Sequence, residues 1–325
     1  MALRFLTWLL LVVICQAEDL SLRGGAMGTL WSVKARASEV FDPMNLRRAI
    51  VDRLEGVERS MSTWRDDSEI SRFNASPSTN WFRVSPEFVY VVRRSLEIAK
   101  ATEGAFDPTV APLVRLWGFT SLKRRVVPPA PREITETLER VGFEKVEVDA
   151  TAGALRKRHP RLELDLSAIA KGYAVDVVGG LLFRSGVTNW LVDIGGEVRG
   201  RGLSGKGRPW RVGVEEPRVG ESRINTIVEL AAGALATSGD YRNFLLIDGL
   251  RHAHIINPAT GWPIPQRGLA VSVKAPDCLT ADAWATALCV LGPDRGLSVA
   301  DALDVAALFL VLDQGKVRTF KSLRW

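Results

Sequence analysis

The chain has 325 residues, 46% hydrophobic and 25% charged, with a formal net charge of +6. That balance suits one large globular domain or two small ones and excludes a disordered, collagen-like or coiled-coil chain. Basic and acidic residues are interleaved; the densest basic run, Lys123-Arg124-Arg125 beside Pro128, Pro129 and Pro131, reads as a solvated loop rather than a nucleic-acid patch.

The first segment differs from the rest. Arg4 is the only charge before Glu18, and the apolar run Phe5–Ile14 leads into Cys15-Gln16-Ala17. A positive start, a short apolar core and small residues at Cys15 and Ala17 predict a signal peptide, residues 1–17, cleaved after Ala17. The run is shorter than the roughly 20 residues a membrane-spanning helix needs, which ranks a permanent anchor second. Bulky Ile14 disfavours lipid attachment at Cys15. Loss of Arg4 leaves +5, a balance that suits a polyanionic ligand or docking at a membrane surface without choosing between them. The remaining cysteines, Cys278 and Cys289, read as buried apolar residues rather than a disulfide framework. No cysteine–histidine cluster has zinc spacing.

Leu46, Ile50, Leu54, Val57 and Met61 predict an amphipathic helix over 46–61. Ser85 as N-cap, Pro86 at the first position and Gly104 past the end predict a second over Pro86 to about Thr102. Residues 120–132 read as a loop, and a third helix begins near Ser167 and runs towards Gly179. Short β-rich runs follow at Trp190–Arg199, Trp210–Glu215, Ile224–Leu230, Phe244–Ile247, His252–Ile256 and Leu269–Lys274, with Asp248-Gly249 as a hairpin turn. A helix over Thr280–Leu291 stops at Gly292-Pro293, and two strands, Val305–Leu312 and Val317–Phe320, close the chain. The mixture predicts an α+β fold rather than a parallel doubly wound sheet.

Neither a Rossmann nor a P-loop glycine pattern is present. Five other stretches can carry chemistry. Gly24–Thr29 allows close backbone approach to a ligand around Met27, although a turn before a strand accounts for it equally. Gly104-Ala105-Phe106-Asp107-Pro108-Thr109 offers an aromatic and a carboxylate, or simply stops a helix. In Leu164–Gly172, Asp165 either caps a helix or meets a ligand's polar edge, with Lys171 near phosphate and a free backbone carbonyl on a metal. In His252–Gly261, two histidines two apart share one strand face and serve proton transfer or stand on an edge strand. In Thr280–Thr286, Asp282 and Thr286 share a helix face; the pair suits a hard cation completed by phosphate and water, or is an ordinary acid at a helix start.

Each signal is weak alone, but their order and wording together are specific. Met27-Gly28-Thr29, Met61–Trp64 with Asp67–Asn74, Gly104–Pro112 with Leu116–Phe119, Asp165–Asp176, Asp193–Glu197, Ala236–Asn243, His254–Gly261 and Ala281–Gly292 closely resemble the ApbE family of FAD:protein FMN transferases, over roughly residues 24–312. The resemblance implies an exported, periplasmic α+β protein, one ApbE-like domain over 18–325. Its two tightly associated lobes carry mixed or antiparallel sheets and flanking helices. It implies FAD as substrate, Mg2+ as cofactor, and attachment of FMN through its phosphate to a threonine or serine hydroxyl of an acceptor flavoprotein, with release of AMP. Carried over by position, Met27, Trp64, Ala105, Phe106, Asp107, Asp165, Lys171 and Ile255 or Ile256 would contact FAD. The Ala168 carbonyl, Asp282 and Thr286 would hold magnesium, and His254 would be the base. Two positions depart from the family pattern: Trp64 stands where many members have tyrosine, and Asn257 where aspartate is common. Two rival readings use the same features: an FAD pyrophosphatase, with water as acceptor, and an exported FAD-binding protein without chemistry. Residues 120–161 carry no assigned residue and read as a family-variable lobe or as part of the acceptor groove.

Overall fold

The computed structural model describes residues 18–37, 42–120, 125–241 and 244–325. The expected signal peptide, residues 1–17, lies outside them, as do Lys123 and Arg124 of the basic run.

The chain opens with a hairpin of β1 (Glu18–Ala26) and β2 (Thr29–Ala37). Its two-residue turn is Met27-Gly28, both with positive φ (53° and 70°), as such hairpins require. Helix α1 (Pro43–Met61) begins three residues before the predicted helix because Asp42 caps it, accepting from the Met44 and Asn45 N–H groups. Short α2 (Glu69–Ala75) and β3 (Phe82–Arg83) follow. Then α3 (Pro86–Ala101) starts as predicted, with the Phe88 N–H donating to Ser85 Oγ.

Helices α4 (Ala111–Trp117) and α5 (Pro131–Leu138) flank the predicted loop, and β4 (Val146–Asp149) pairs with β5 (Ala154–Lys157). Thus part of the stretch without a sequence role is helical. Ile134 of α5 packs with Leu113, Trp117, Leu245 and Ile256 in one buried cluster. Trp117 Nε1 donates to the Gly261 carbonyl at 2.8 Å, which ties this platform to the segment after His254.

Helix α6 (Ser167–Arg184) is longer than predicted and passes through Gly179. A Cβ there would lie 2.5 Å from the Trp190 ring, so the glycine serves helix–sheet packing and does not end the helix. The run Trp190–Arg199 is a hairpin, β6 (Asn189–Ile194) and β7 (Glu197–Arg201), turned by Gly195-Gly196 at φ 68° and 101°. Strands β8 (Trp210–Glu215) and β9 (Ile224–Leu230) have the predicted bounds; β10 (Ala232–Gly239) has no sequence counterpart among the predicted strands. Strand β11 (Phe244–Ile247) pairs with β12 (Leu250–Ala253), which ends one residue before His254. The two histidines therefore do not share a strand face. After β13 (Leu269–Ala275) comes α7 (Cys278–Ala302), broken at Gly292 (φ 74°, ψ 175°) where the predicted helix stops, with helix resuming beyond it. Strands β14 (Ala306–Asp313) and β15 (Lys316–Lys321) complete the fold.

Eight strands form the principal sheet, in the order β1-β2-β6-β7-β10-β13-β14-β15, and neighbours pair antiparallel. Smaller antiparallel sheets (β3-β5-β4, β8-β9, β11-β12) lie beside it, as an α+β fold requires. Helices α6 and α7 share the main buried core with this sheet, in which Val175, Val178, Trp190, Val192, Val271, Ala283 and Ala287 are all nearly inaccessible.

The two helices meet backbone to backbone. A Cβ on Gly172 would fall 2.3 Å from the Cys278 carbonyl oxygen. Asp176 of α6 accepts from the Cys278 and Leu279 N–H groups, both at 2.9 Å, and from Arg199 Nη1 at 2.7 Å. It thus supplies acceptors to N–H groups that a helix start cannot satisfy itself.

Two substitutions test this junction. Asp176→Ala strands two N–H groups and the Arg199 guanidinium and should cost about 3 kcal/mol, read as a lower midpoint in chemical denaturation. Gly172→Ala forces a methyl group against backbone that cannot yield and should cost about 2–3 kcal/mol in the same assay. A wild-type midpoint in either variant would show that the junction tolerates separation.

Candidate active site

The N-terminal half of α6, the first turns of α7, the ends of β7 and β10, and the segment after β12 converge on one cavity of about 860 Å³. That is within the range of sites for large organic ligands. It is lined by Trp64, Ala105, Phe106, Asp107, Asp165, Ala168, Lys171, His254, Ile255, Ile256, Asp282 and Thr286. All of the predicted site residues except Met27 are therefore brought together. Met27 sits at the β1–β2 turn, where its N–H donates to Glu58 Oε1, and it is not among the lining residues.

The deep part is built from α6 and α7. Asp282 Oδ2 accepts the Gly172 N–H at 2.9 Å. A regular helix directs that N–H to the carbonyl four residues back, which is Ala168. The Ala168 carbonyl therefore points along the helix towards the N–H that Asp282 binds. Thr286, one turn along α7, shares a hydrogen bond with Ser238 of β10 at 2.9 Å. Carboxylate, carbonyl and hydroxyl oxygens are the donors a hard cation takes. No group of three or more His, Cys, Asp or Glu side chains with metal-site geometry occurs among the described residues, so a cation here would depend on this mixed oxygen set.

Lys171 Nζ lies 2.6 Å from Glu197 Oε1, and Glu197 is only 3% exposed. Burial, and then the Asp282 charge, push the Glu197 carboxyl up to about 8. Burial also raises Asp282, against the pull of Lys171. For Lys171 burial acts to lower the ammonium, but Asp282 and Glu197 together outweigh it and hold it above its ordinary value. Two carboxylates thus share one ammonium in a poorly solvated pocket. Glu197, Ser238 and Thr237 line the cavity but are missing from the sequence-derived site. Their signal was the pair of glycine-containing strings Asp193–Glu197 and Ala236–Asn243, which carried resemblance without an assigned role.

Towards the mouth the lining turns apolar and aromatic. Trp64 follows α1 and is 72% exposed, so its indole offers a free stacking face. Phe106 and Ala105 lie on the turn after α3, where Gly104 takes φ 80°. Asp107 has both oxygens committed within the protein: Oδ1 accepts from Thr109 N–H (2.7 Å) and Thr109 Oγ1 (2.6 Å), and Oδ2 from Phe143 N–H (3.0 Å). Its side chain holds the loop. Asp165 Oδ1 accepts from the Ser167 N–H at 2.8 Å, but it stands one residue before the N-cap, Leu166, which makes no side-chain cap bond, so the aspartate turns the chain into the helix and is not the cap the sequence suggested. His254 leads Ile255 and Ile256 along the wall. Asn257 makes the turn that follows: its Oδ1 accepts from Ala259 N–H at 2.9 Å and its carbonyl from Gly261 N–H at 2.8 Å.

Comparison with known proteins agrees with this geometry. The ApbE family profile matches residues 27–309. The FAD:protein FMN transferase of Vibrio cholerae serotype O1 is 42% identical over 306 residues, covering 93% of this chain and 91% of that protein. The FAD:protein FMN transferase of Escherichia coli K12 is 35% identical over 303 residues, covering 93% and 86%. Among solved structures, the flavin transferase ApbE from Vibrio cholerae has a TM-score of 0.86 at 40% identity, covering 95% of this chain and 98% of that one. The apo form of the Pseudomonas stutzeri flavinyl transferase ApbE has a TM-score of 0.86 at 34% identity, covering 96% of each. With fold, cavity and nearly the whole described length in agreement, the chain belongs to the ApbE family.

Proposed function

We propose that this chain is an exported, magnesium-dependent FAD:protein FMN transferase, which moves FMN from FAD to a serine or threonine hydroxyl of an acceptor flavoprotein and releases AMP. The observation that carries the proposal is the meeting, in one cavity, of an oxygen donor set at Ala168, Asp282 and Thr286 with Lys171 and His254. The flavin transferases named above share this fold at 34–42% identity.

Each step has a residue suited to it. The isoalloxazine ring would stack on Trp64 at the mouth, and Phe106, Ile255 and Ile256 would supply apolar wall. Asp165 and the 105–107 backbone would meet polar edges. Lys171 would lie against the pyrophosphate as a point charge. His254 would take the proton of the acceptor hydroxyl as its oxygen attacks the FMN phosphorus. The new P–O bond to the acceptor replaces the anhydride P–O bond, and AMP leaves with that oxygen. Bound magnesium would neutralise phosphate charge. The Ala168 carbonyl, Asp282 and Thr286 would hold it; the mixed oxygen set suits that role. Export rests on the signal-like segment 1–17, and acceptors would then be periplasmic or membrane-associated redox proteins.

The direct test combines the purified chain, FAD, magnesium and a candidate acceptor domain, with and without chelator. The expected result is an acceptor mass increase equal to FMN that chelator abolishes. Free FMN and AMP without any adduct on several acceptors would replace the reading with a pyrophosphatase; no AMP at all would leave an FAD-binding protein.

Two variants divide the roles. Asp282→Ala should lose magnesium-dependent turnover while still binding FAD, followed by flavin fluorescence; unchanged turnover would remove the metal assignment. His254→Ala should bind FAD normally and slow transfer by roughly two to four orders of magnitude. Full activity in that variant would move the base elsewhere.

A further inference from the structure

The Lys171 ammonium feels two carboxylates, and the fold gives it to one of them. Its Nζ lies 2.6 Å from Glu197 Oε1. Asp282 also acts on it electrostatically, but Asp282 has an oxygen occupied by the Gly172 N–H. Glu197 reaches the cavity from β7, directly after the Gly195-Gly196 turn, whereas Lys171 and Asp282 belong to the two helices. The other Glu197 oxygen, Oε2, is buried without a hydrogen-bond partner. Such an oxygen is costly to keep, and a residue selected for packing alone would be apolar.

We infer that Glu197 is a positioning residue that draws Lys171 away from Asp282 and so keeps the Asp282 carboxylate open to a divalent cation. The inference rests on the cation reading proposed above. Without Glu197, Asp282 is the partner left to the ammonium, which would then compete with the cation for the same oxygens and repel it at short range. With Glu197 in place, Lys171 stays on its side of the cavity floor, and the Asp282 oxygen that Gly172 does not engage is left for a cation. Lys171, held on the Glu197 side, stays available to phosphate.

This arrangement has a signature that a merely structural glutamate lacks: loss of Glu197 should be repaired by loss of Lys171. The test uses Mn2+ as the probe, titrated into the full chain without FAD, with free Mn2+ followed by its electron paramagnetic resonance signal. Relative to wild type, Glu197→Gln should bind Mn2+ about tenfold more weakly or worse. Glu197→Asp, which keeps the charge, should stay within about threefold, and Glu197→Gln combined with Lys171→Met should recover to about the wild-type affinity. Glu197→Met, which fills similar volume without a missing partner, is the second variant should the glutamine form fail to fold, and carries the same expectation. Wild-type affinity in the glutamine and methionine variants, or no recovery in the double variant, would overturn the inference alone. A wild-type chain that takes up no Mn2+, with or without FAD, would overturn the cation reading and this inference with it.

Discussion

The chemistry of this protein depends on the contact between α6 and α7 at Gly172, where the two helices touch with no side chain between them. Ala168, Gly172 and Asp176 are four residues apart and form one stripe of α6. Ala168 lines the cavity with Asp282, Gly172 gives that carboxylate its N–H, and Asp176 accepts from the N–H groups of Cys278 and Leu279. A small residue at the centre is the condition for all three. With the backbones further apart, Asp282 would lose its N–H donor and keep only the Lys171 charge to offset its burial, an outcome more costly than the loss of ordinary packing.

The sheet supplies what the helices lack. Its hairpin turn at Gly195-Gly196 sets Glu197 beside Lys171, and β10 brings Ser238 to Thr286 and Thr237 to Ser272 of β13. Hydroxyl pairs of this kind satisfy polar groups without adding charge. The cavity therefore passes from a charged, enclosed floor to an aromatic and open mouth. That gradient matches a ligand with phosphates at one end of its reacting half and a flat ring at the other.

Much of this was legible in the sequence, for physical reasons specific to each element. Ser85-Pro86 and the 3.6-residue periodicity of Leu46–Met61 announce helices because capping and amphipathicity act locally. Strand β10 (Ala-Gly-Ala-Leu-Ala-Thr-Ser-Gly) escaped because it has few β-branched residues; it is a strand because β7 and β13 pair with it on both sides. Helix α5 was hidden by the prolines before it, although Pro131 is a good first helical residue. The break at Gly292 was readable, but not the resumption of helix, which depends on packing against the sheet: a Cβ on Gly296 would lie 3.1 Å from the Phe309 ring. At the site, motif resemblance found residues near the reacting centre. It gave no role to Glu197, because a glutamate after two glycines carries no chemical signature until Lys171 is seen 2.6 Å away.

The two departures from the family wording can be weighed in the same terms. Residue 257 makes its turn through Oδ1, which accepts from the Ala259 N–H; asparagine and aspartate both offer that oxygen, so the turn itself does not demand a charge there. The loop that carries His254 is further secured by Trp117 Nε1 on the Gly261 carbonyl and by Ile264 N–H on the Ile255 carbonyl, neither of which involves the residue 257 side chain. Trp64 is exposed at the cavity mouth, so replacing a phenol by an indole there leaves no buried acceptor unpaired, and the stacking face is enlarged. The departures thus fall where the fold tolerates them: one in a turn that uses only an oxygen, the other on a solvent-facing ring. The positions with no such freedom are Gly172, Asp176 and Asp282, where backbone contact and burial together dictate the residue.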